Sequence, residues 1–280
     1  LNIIIVGAKE IIERELSKYD YPKEKIDIIN ATEVISNNEE PVLAIRRKKD
    51  SSMVVGLKAL KEGLGDGFVS AGSTGALLAG GLFIVKRIAS IDRAALATVY
   101  PTTKGISFML DVGANVDCKP EYLKQFAIMG SVYSEKVLGK KEPTVGLANI
   151  GTEEGKGNNL VREAHNLMKD LSLNYIGNVE VRDVPEGVAD VIVCDGFVGN
   201  VILKLTEGMA KAIFSSLKNE FTESYKSKIG ALMLKPQLKS FKGKLDYREY
   251  GGAPLLGLTQ PVVKAHGSSD AFAIKNAIKQ

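Results

Sequence analysis

Lys156 stands between two glycines in the polar stretch Gly151-Thr152-Glu153-Glu154-Gly155-Lys156-Gly157-Asn158, so its amine can approach a ligand with little backbone in the way. Such a lysine either holds an anion or is simply solvated. Asn200 closes Cys194-Asp195-Gly196-Phe197-Val198-Gly199-Asn200, where its amide can donate to an oxyanion or cap the helix that follows. Ser73, Thr74 and Gly75 precede an apolar helical pattern and could hold an anion through several weak donors. Asp111 and Asp195 each end an apolar run, the first followed by Gly113 and Asn115, the second by Gly196. These two carboxylates orient donors, serve as acid or base, or cap turns. His266, beside Gly267 and Ser268, is placed for chemistry or for a structural hydrogen bond, whereas His165 lies in a charged helical pattern and reads as surface. Cys194 invites covalent thioester chemistry, but it shares a strand face with Ile192 and reads as a buried core thiol.

These residues need a scaffold. A chain of 280 residues with 45% hydrophobic content can bury a full core, and a net charge of +4 does not call for nucleic acid as a partner. Cys118 and Cys194 are far apart and lack metal-ligand spacing, which points to a reduced, cytoplasmic protein with no metal site. The chain opens on a strand instead of a signal-peptide pattern, and it opens without Met, which points to a missing start. The uncharged run Gly67–Val85 holds five glycines with Ser70, Ser73 and Thr74, so it reads as strand, turn and helix and not as a membrane span.

Leu1–Val6 is an expected strand, Lys9–Lys18 a helix and Ile26–Ile29 a second strand. The basic run Arg46-Arg47-Lys48-Lys49 leads to Ser51 and Ser52, candidate caps for a helix to about Glu62; it is a solvated helix approach or a landing site for an acidic partner. One device recurs four times: a β-rich run, a glycine with a small polar residue, then a helical pattern. It occurs at the opening, at Phe68–Gly72, at Phe108–Gly113 with a helix after Pro120, and at Val145–Ile150. Alternation of this kind implies a mostly parallel sheet with helices on both faces, its joints gathered along one edge and able to share a pocket. Val191–Asp195 supplies another buried strand, with a helix restarting near Asn200 that is expected to bury Val201, Leu205, Met209, Ile213 and Leu217.

Neither nucleotide motif fits. Gly151–Gly157 is one residue short of a P-loop and has Gly157 where a magnesium-binding hydroxyl belongs, and no Gly-x-Gly-x-x-Gly opens a helix after a strand. From Lys226 to Lys244, Ile229, Leu232, Met233, Leu234, Leu238 and Phe241 interleave with Lys228, Lys235, Lys239, Lys242 and Lys244 around Pro236. That composition suits an anionic membrane surface, or equally a helical hairpin packed on the body or on a second copy. Tyr250–Gly257, a strand Pro261–Ala265 and His266–Asp270 capping a last helix close the chain.

With these segments in view, the chain resembles the PlsX family of phosphate acyltransferases nearly end to end. The resemblance rests on 46–53 (Arg-Arg-Lys-Lys-Asp-Ser-Ser-Met), 70–76 (Ser-Ala-Gly-Ser-Thr-Gly-Ala), 110–117 (Leu-Asp-Val-Gly-Ala-Asn-Val-Asp), 151–158, 194–200, 250–253 (Tyr-Gly-Gly-Ala) and 264–270 (Lys-Ala-His-Gly-Ser-Ser-Asp). It implies a single three-layer α/β/α domain over 1–280, related to the isopropylmalate dehydrogenase group, with a helical projection at about 210–248. It further implies a homodimer with peripheral membrane contact through that projection at Ile229, Leu232, Met233, Leu234 and Leu238. The implied reaction moves a fatty acyl group from acyl carrier protein to inorganic phosphate, giving acyl phosphate for phospholipid synthesis without a cofactor; a downstream membrane acyltransferase would suit it as a further partner. Lys156 and Asn200 match residues that the family uses at its active site. Ser73–Gly75, Gly113–Asn115 and His266–Ser268 match pocket-lining motifs. Two departures stand out: the family's usual opening strand with Asp-Ala-Met-Gly-Gly-Asp is absent, and Ser73 replaces the usual Asn. Two rival readings are a short-chain phosphotransacetylase using coenzyme A and a non-catalytic membrane adaptor that gathers acyl carrier protein.

Overall fold

A computed structural model of the protein describes residues 1–244 and 251–280. Tyr250 and the side chains of Lys239, Lys242 and Lys244 lie outside the described residues. The chain forms two compact units, one of residues 1–94 with 251–280 and one of residues 95–250.

The first unit opens with β1 (Ile3–Gly7), α1 (Lys9–Leu16) and β2 (Ile26–Asn30), and the two strands pair in parallel as a sheet of their own. The opening joint therefore does not lie on the main sheet edge where it was expected, because β1 finds its ladder partner locally across a short helical crossover. α2 (Pro41–Arg47) is capped by Glu40, whose carboxylate accepts from Val42 N and Leu43 N. Arg46 and Arg47 form its last turn, where cations oppose the exposed carbonyls, and the Lys48 ammonium is held by Glu39 at 2.9 Å. The basic run thus ends one helix, α2, while leading, as expected, into the next. α3 (Ser52–Lys61) starts as expected on Ser51, whose hydroxyl accepts from Val54 N. β3 (Phe68–Ser70) and α4 (Thr74–Gly80), extended by a π-helical turn at Gly81–Val85, give the expected strand, turn and helix. No helix among the described residues is long and apolar enough to cross a membrane.

The second unit begins with the antiparallel pair β4 (Ala95–Thr102) and β5 (Gly105–Leu110), followed by α5 (Pro120–Lys136), β6 (Val145–Asn149), α6 (Asn159–Lys169), β7 (Tyr175–Glu180) and β8 (Val191–Val193). Its sheet runs β4-β5-β8-β6-β7, parallel from β5 onward. Val191, Ile192 and Val193 are buried on both faces with Phe108, Met109, Leu110 and Leu147, the signature of a central parallel strand. β7 carries a bulge: Val145 pairs with Tyr175 and Gly146 with Gly177, so Ile176 is the extra residue and Gly177 takes a φ of 91°.

α7 (Gly196–Thr222) starts at Gly196, four residues earlier than the expected restart near Asn200. The residues expected to be buried along it are exposed instead, from 36% at Leu217 to 63% at Leu205, and Phe197 joins them. The reason is length. A helix of 27 residues spans about 40 Å, and only its first two turns, at Gly196, Gly199 and Ile202, are buried. α8 (Tyr225–Lys244) follows, with apolar side chains on two faces. Helical spacing puts Ile229, Leu232 and Met233 on one face and Leu234, Leu238 and Phe241 on the other. The second face turns to α7, where Phe241 packs on Phe214 with ring centroids 5.9 Å apart. The first is the more open, with Met233 75% exposed, although Leu234 and Phe241 of the second are still 49% and 52% exposed.

The chain then returns to the first unit as β9 (Gly252–Leu256), β10 (Val262–Ala265) and α9 (Ala271–Lys279). β10 pairs in parallel with β3 and antiparallel with β9. Mostly parallel sheets flanked by helices make this the expected α/β class.

Candidate active site

In the second unit three parallel strands end side by side: β5 stops at Leu110 and β8 at Val193, which pair, and β6, whose Leu147 pairs with the same Val193, runs two residues further to Asn149. The chain leaves these neighbouring ends through 111–115, 150–158 and 194–200, so sheet register alone gathers Asp111, Gly113, Asn115, Lys156, Asp195, Gly196 and Asn200 on one edge.

Asp111 is fully buried. Its Oδ1 accepts from the backbone N of Leu96, Gly113 and Ala114, and its Oδ2 from the backbone N and Nδ2 of Asn115 at 2.7 and 2.8 Å. Burial pushes this carboxyl above the usual aspartate range, against the pull of its donors. With both oxygens engaged by the chain itself, Asp111 shapes the 111–115 turn, the turn-forming role among those open to it. Asn115 O in turn accepts from Gly196 N at 2.7 Å, which locks the turn to the start of α7.

Asp195, not Asn200, caps α7. Its Oδ1 accepts from Val198 N at 2.8 Å and its backbone O from Gly199 N at 3.0 Å. Three first-turn donors are therefore met within the chain, and the cap is itself anionic, so this helix end is not the open anion seat that a bare terminus would offer. Asn200 sits one turn in, exposed, with its side chain 3.8 Å from where a β-carbon on Gly113 would stand. Freed from capping, its amide is available to a ligand.

Lys156 is half exposed and only loosely paired with Glu153, at 3.9 Å. The loop around it is built tightly. Gly157 has a φ of 88°, and a β-carbon there would lie 2.6 Å from Asn149 Oδ1. Asn149, buried at the end of β6, donates from Nδ2 to Lys156 O at 3.1 Å and accepts from Ile150 N at 2.8 Å. Asn158 then caps α6 through Val161 N. Beneath lies a cavity of about 140 Å³, walled by Leu123, Leu147, Val161, Val181, Cys194 and Val198, with Asn158 and Asp195 at its polar side. Asn149 and Asn158 were not singled out from sequence. The signal was a polar residue ending an otherwise apolar strand, and a cap-type residue closing the glycine loop.

Both thiols are in this region and both are quiet. Burial, then the Asp111 and Asp195 charges, pushes Cys118 up to about 12 and Cys194 well above the ordinary thiol range. Cys194 is buried as expected, and its Sγ donates to Asp111 O at 3.3 Å.

The remaining predicted residues gather in the first unit. The parallel pairing of β3 with β10, Ser70 opposite Lys264, brings Ser73, Thr74 and Gly75 to the same strand edge as His266 and Ser268. Ser73 is buried and caps α4 through Ala76 N. His266 Nδ1 accepts from Ser268 N at 3.2 Å and lies 2.8 Å from Ser268 Oγ, which leaves the ring proton of the neutral form on Nε2. His165 reverses its expectation: it is buried, because it shares the inward face of α6 with Val161, Ala164 and Met168.

The family model described as fatty acid synthesis protein matches residues 1–280. A phosphate acyltransferase from Alkaliphilus oremlandii is 62% identical over 280 residues, covering 100% of this chain and 84% of the relative. One from Clostridioides difficile is 54% identical over 281 residues, covering 100% of this chain and 83% of the relative. Among solved structures, a phosphotransacetylase from Streptococcus pyogenes superposes with a TM-score of 0.65 at 19% identity, over 100% of this chain and 87% of that one. EutD phosphotransacetylase from Staphylococcus aureus gives 0.64 at 18%, over 98% and 83%. These two likenesses are of fold.

Proposed function

We propose a site for acyl transfer to phosphate on the premise that this chain belongs to the fatty acid synthesis protein family, matched along its whole length, and is an enzyme like the relatives named phosphate acyltransferase. The reaction moves a fatty acyl group from the thioester of acyl carrier protein to inorganic phosphate. A phosphate oxygen attacks the thioester carbon, a C–O bond forms, the C–S bond breaks, and acyl phosphate and the free carrier thiol leave.

The observation that carries the site is the parallel pairing of β5, β8 and β6, whose carboxyl ends are neighbours, so that Lys156 and Asn200 fall on adjoining joints of one sheet edge. Lys156, without a close counter-ion, is assigned to the phosphate or to developing negative charge. Asn200, relieved of capping by Asp195, is assigned to the thioester carbonyl oxygen; the two roles are exchangeable. Asp111, Gly113, Asn115, Asp195 and Gly196 hold that geometry, and the apolar cavity beneath suits the first carbons of an acyl chain. Within the first unit, Ser73, Thr74, Gly75, His266 and Ser268 share one strand edge, and that edge is assigned to substrate binding on its own account.

We assign the open face of α8 to a membrane surface, which would make this a cytoplasmic, peripherally attached protein. Ile229, Leu232 and Met233 are exposed and flanked by Lys226, Lys228 and Lys235, as an anionic surface requires. The apolar row of α7 is flanked by both charge signs, such as the Lys204–Glu207 pair at 2.9 Å, and is assigned to a second copy of the chain.

The test is hydroxylamine trapping of acyl phosphate from acyl carrier thioester and phosphate. Turnover by the wild type, with loss in Lys156→Ala and Asn200→Ala at unchanged melting temperature, is expected. Wild-type rates in both variants would remove the site assignment. Preference for coenzyme A thioesters would favour a phosphotransacetylase, and vesicle binding without turnover an adaptor.

A further inference from the structure

His165 is a buried titratable side chain that the acyl-transfer reading leaves unused, and it lies under the loop that carries Lys156. Only 4% of it is exposed. Its Nδ1 is 2.7 Å from the Tyr175 hydroxyl, with the two rings tilted at 57°. The bulge in β7 lies at this meeting. The extra residue Ile176 follows Tyr175 directly, and Gly177 after it supplies the positive φ that the bulge requires, with the imidazole Cε1 in ordinary contact 4.0 Å from where a β-carbon would be. Burial, then the Glu154 charge, pushes the Tyr175 phenol up, so it keeps its proton and donates to Nδ1; the ring proton is then on Nε2.

That Nε2 has no hydrogen-bond partner among the described residues and stands 3.8 Å from Glu154 Oε1. Lys169, one turn further along α6, holds the same oxygen at 2.6 Å. Glu154 belongs to the Lys156 loop. The residue before it is tied as well: Glu153 O accepts from Asn178 Nδ2 at 2.9 Å and from Lys156 N at 3.1 Å. The loop is therefore moored to α6 through a carboxylate and to β7 through a carbonyl, two residues from the Lys156 amine.

We propose that His165 is a positioning residue for acyl transfer: with Lys169 it forms a two-donor seat for the Glu154 carboxylate and so fixes the loop that presents Lys156. A buried N–H is costly to leave unmet, and a small inward shift of Glu154 supplies its acceptor. The inference rests on the assignment of Lys156 to the site.

The experiment measures acyl phosphate formation by the full chain with phosphate varied. His165→Leu and Glu154→Ala should each raise the phosphate KM by about tenfold to a hundredfold, the scale of a small misplacement, with a smaller change in the KM for the acyl carrier thioester. His165→Gln, whose amide reaches toward the Nε2 position, should recover most of the loss. The double variant His165→Leu/Glu154→Ala should be no worse than the poorer single, because Glu154→Ala already removes the contact that His165→Leu removes. A Glu154→Ala enzyme with the wild-type phosphate KM would overturn the proposal, and that variant changes only an exposed side chain, so folding does not cloud it. Equal losses in His165→Gln and His165→Leu would also overturn it, since they would mark His165 as core packing. Failure of the underlying reading shows separately, as a wild-type rate in Lys156→Ala.

Discussion

The first turn of α7 presses Gly199 against the carbonyl of Asp111 so closely that a β-carbon would overlap the oxygen. Together with the bond from Gly196 N to Asn115 O, this makes the 111–115 turn and the start of α7 one rigid piece. Gly199→Ala should therefore cost about 1–3 kcal/mol or more, as overpacking against backbone does. Thermal unfolding would show it, and a variant that melts with the wild type would contradict the packing.

Gly157→Ala tests the Lys156 loop directly. The positive φ and the contact with Asn149 leave no place for a methyl group, so the loop must shift. Turnover should fall by about tenfold or more, while far-ultraviolet circular dichroism stays unchanged.

The thiols should be bystanders. With Cys118 pushed up to about 12, only about one in ten thousand of its molecules is thiolate at pH 8. Cys194 should resist further. Iodoacetamide at that pH should leave activity intact; inactivation that tracks alkylation of either thiol would point to a covalent thioester step.

α8 should divide by face. Leu232→Ser with Met233→Ser should weaken binding to anionic vesicles, whereas Phe241→Ala should loosen the contact with Phe214. Vesicle sedimentation separates the two, and equal losses from both faces would deny the division.

Asp190 supplies an acid-sensitive tie. Burial raises its carboxyl, but Lys140 at 2.9 Å and the Thr144 donors outweigh it and hold the group below the ordinary aspartate value. A depressed folded-state value means stability present above the unfolded value and lost as pH falls through the folded one. Asp190→Asn should thus lower stability at pH 7 and flatten its decline below about pH 4. A decline as steep as the wild type's would exclude the tie.

The strands around the site were legible because each is a short apolar run stopped by a polar or glycine residue, as at Leu110, Asn149 and Val193. The cap of α3 was legible for the same local reason. The start of α7 was not: Asp195 and Asn200 are both cap-type residues, and the close packing that Gly196 and Gly199 serve leaves no mark in the sequence pattern. His165 was hidden by its charged neighbours, although its spacing from Val161 and Met168 carried the inward face. β4 and β7 went unread because Pro101 and Gly177 interrupt their apolar pattern.

The exposed apolar residues of α7, from Phe197 to Leu217, recur at every fourth position. On a helix of 3.6 residues per turn such a row drifts about 40° per step, so it winds around the axis as an oblique ridge. Two helices that mesh along ridges of this kind cross at about 50°. A second chain docking there would meet α7 slantwise, making a compact crossing in place of a long side-by-side seam.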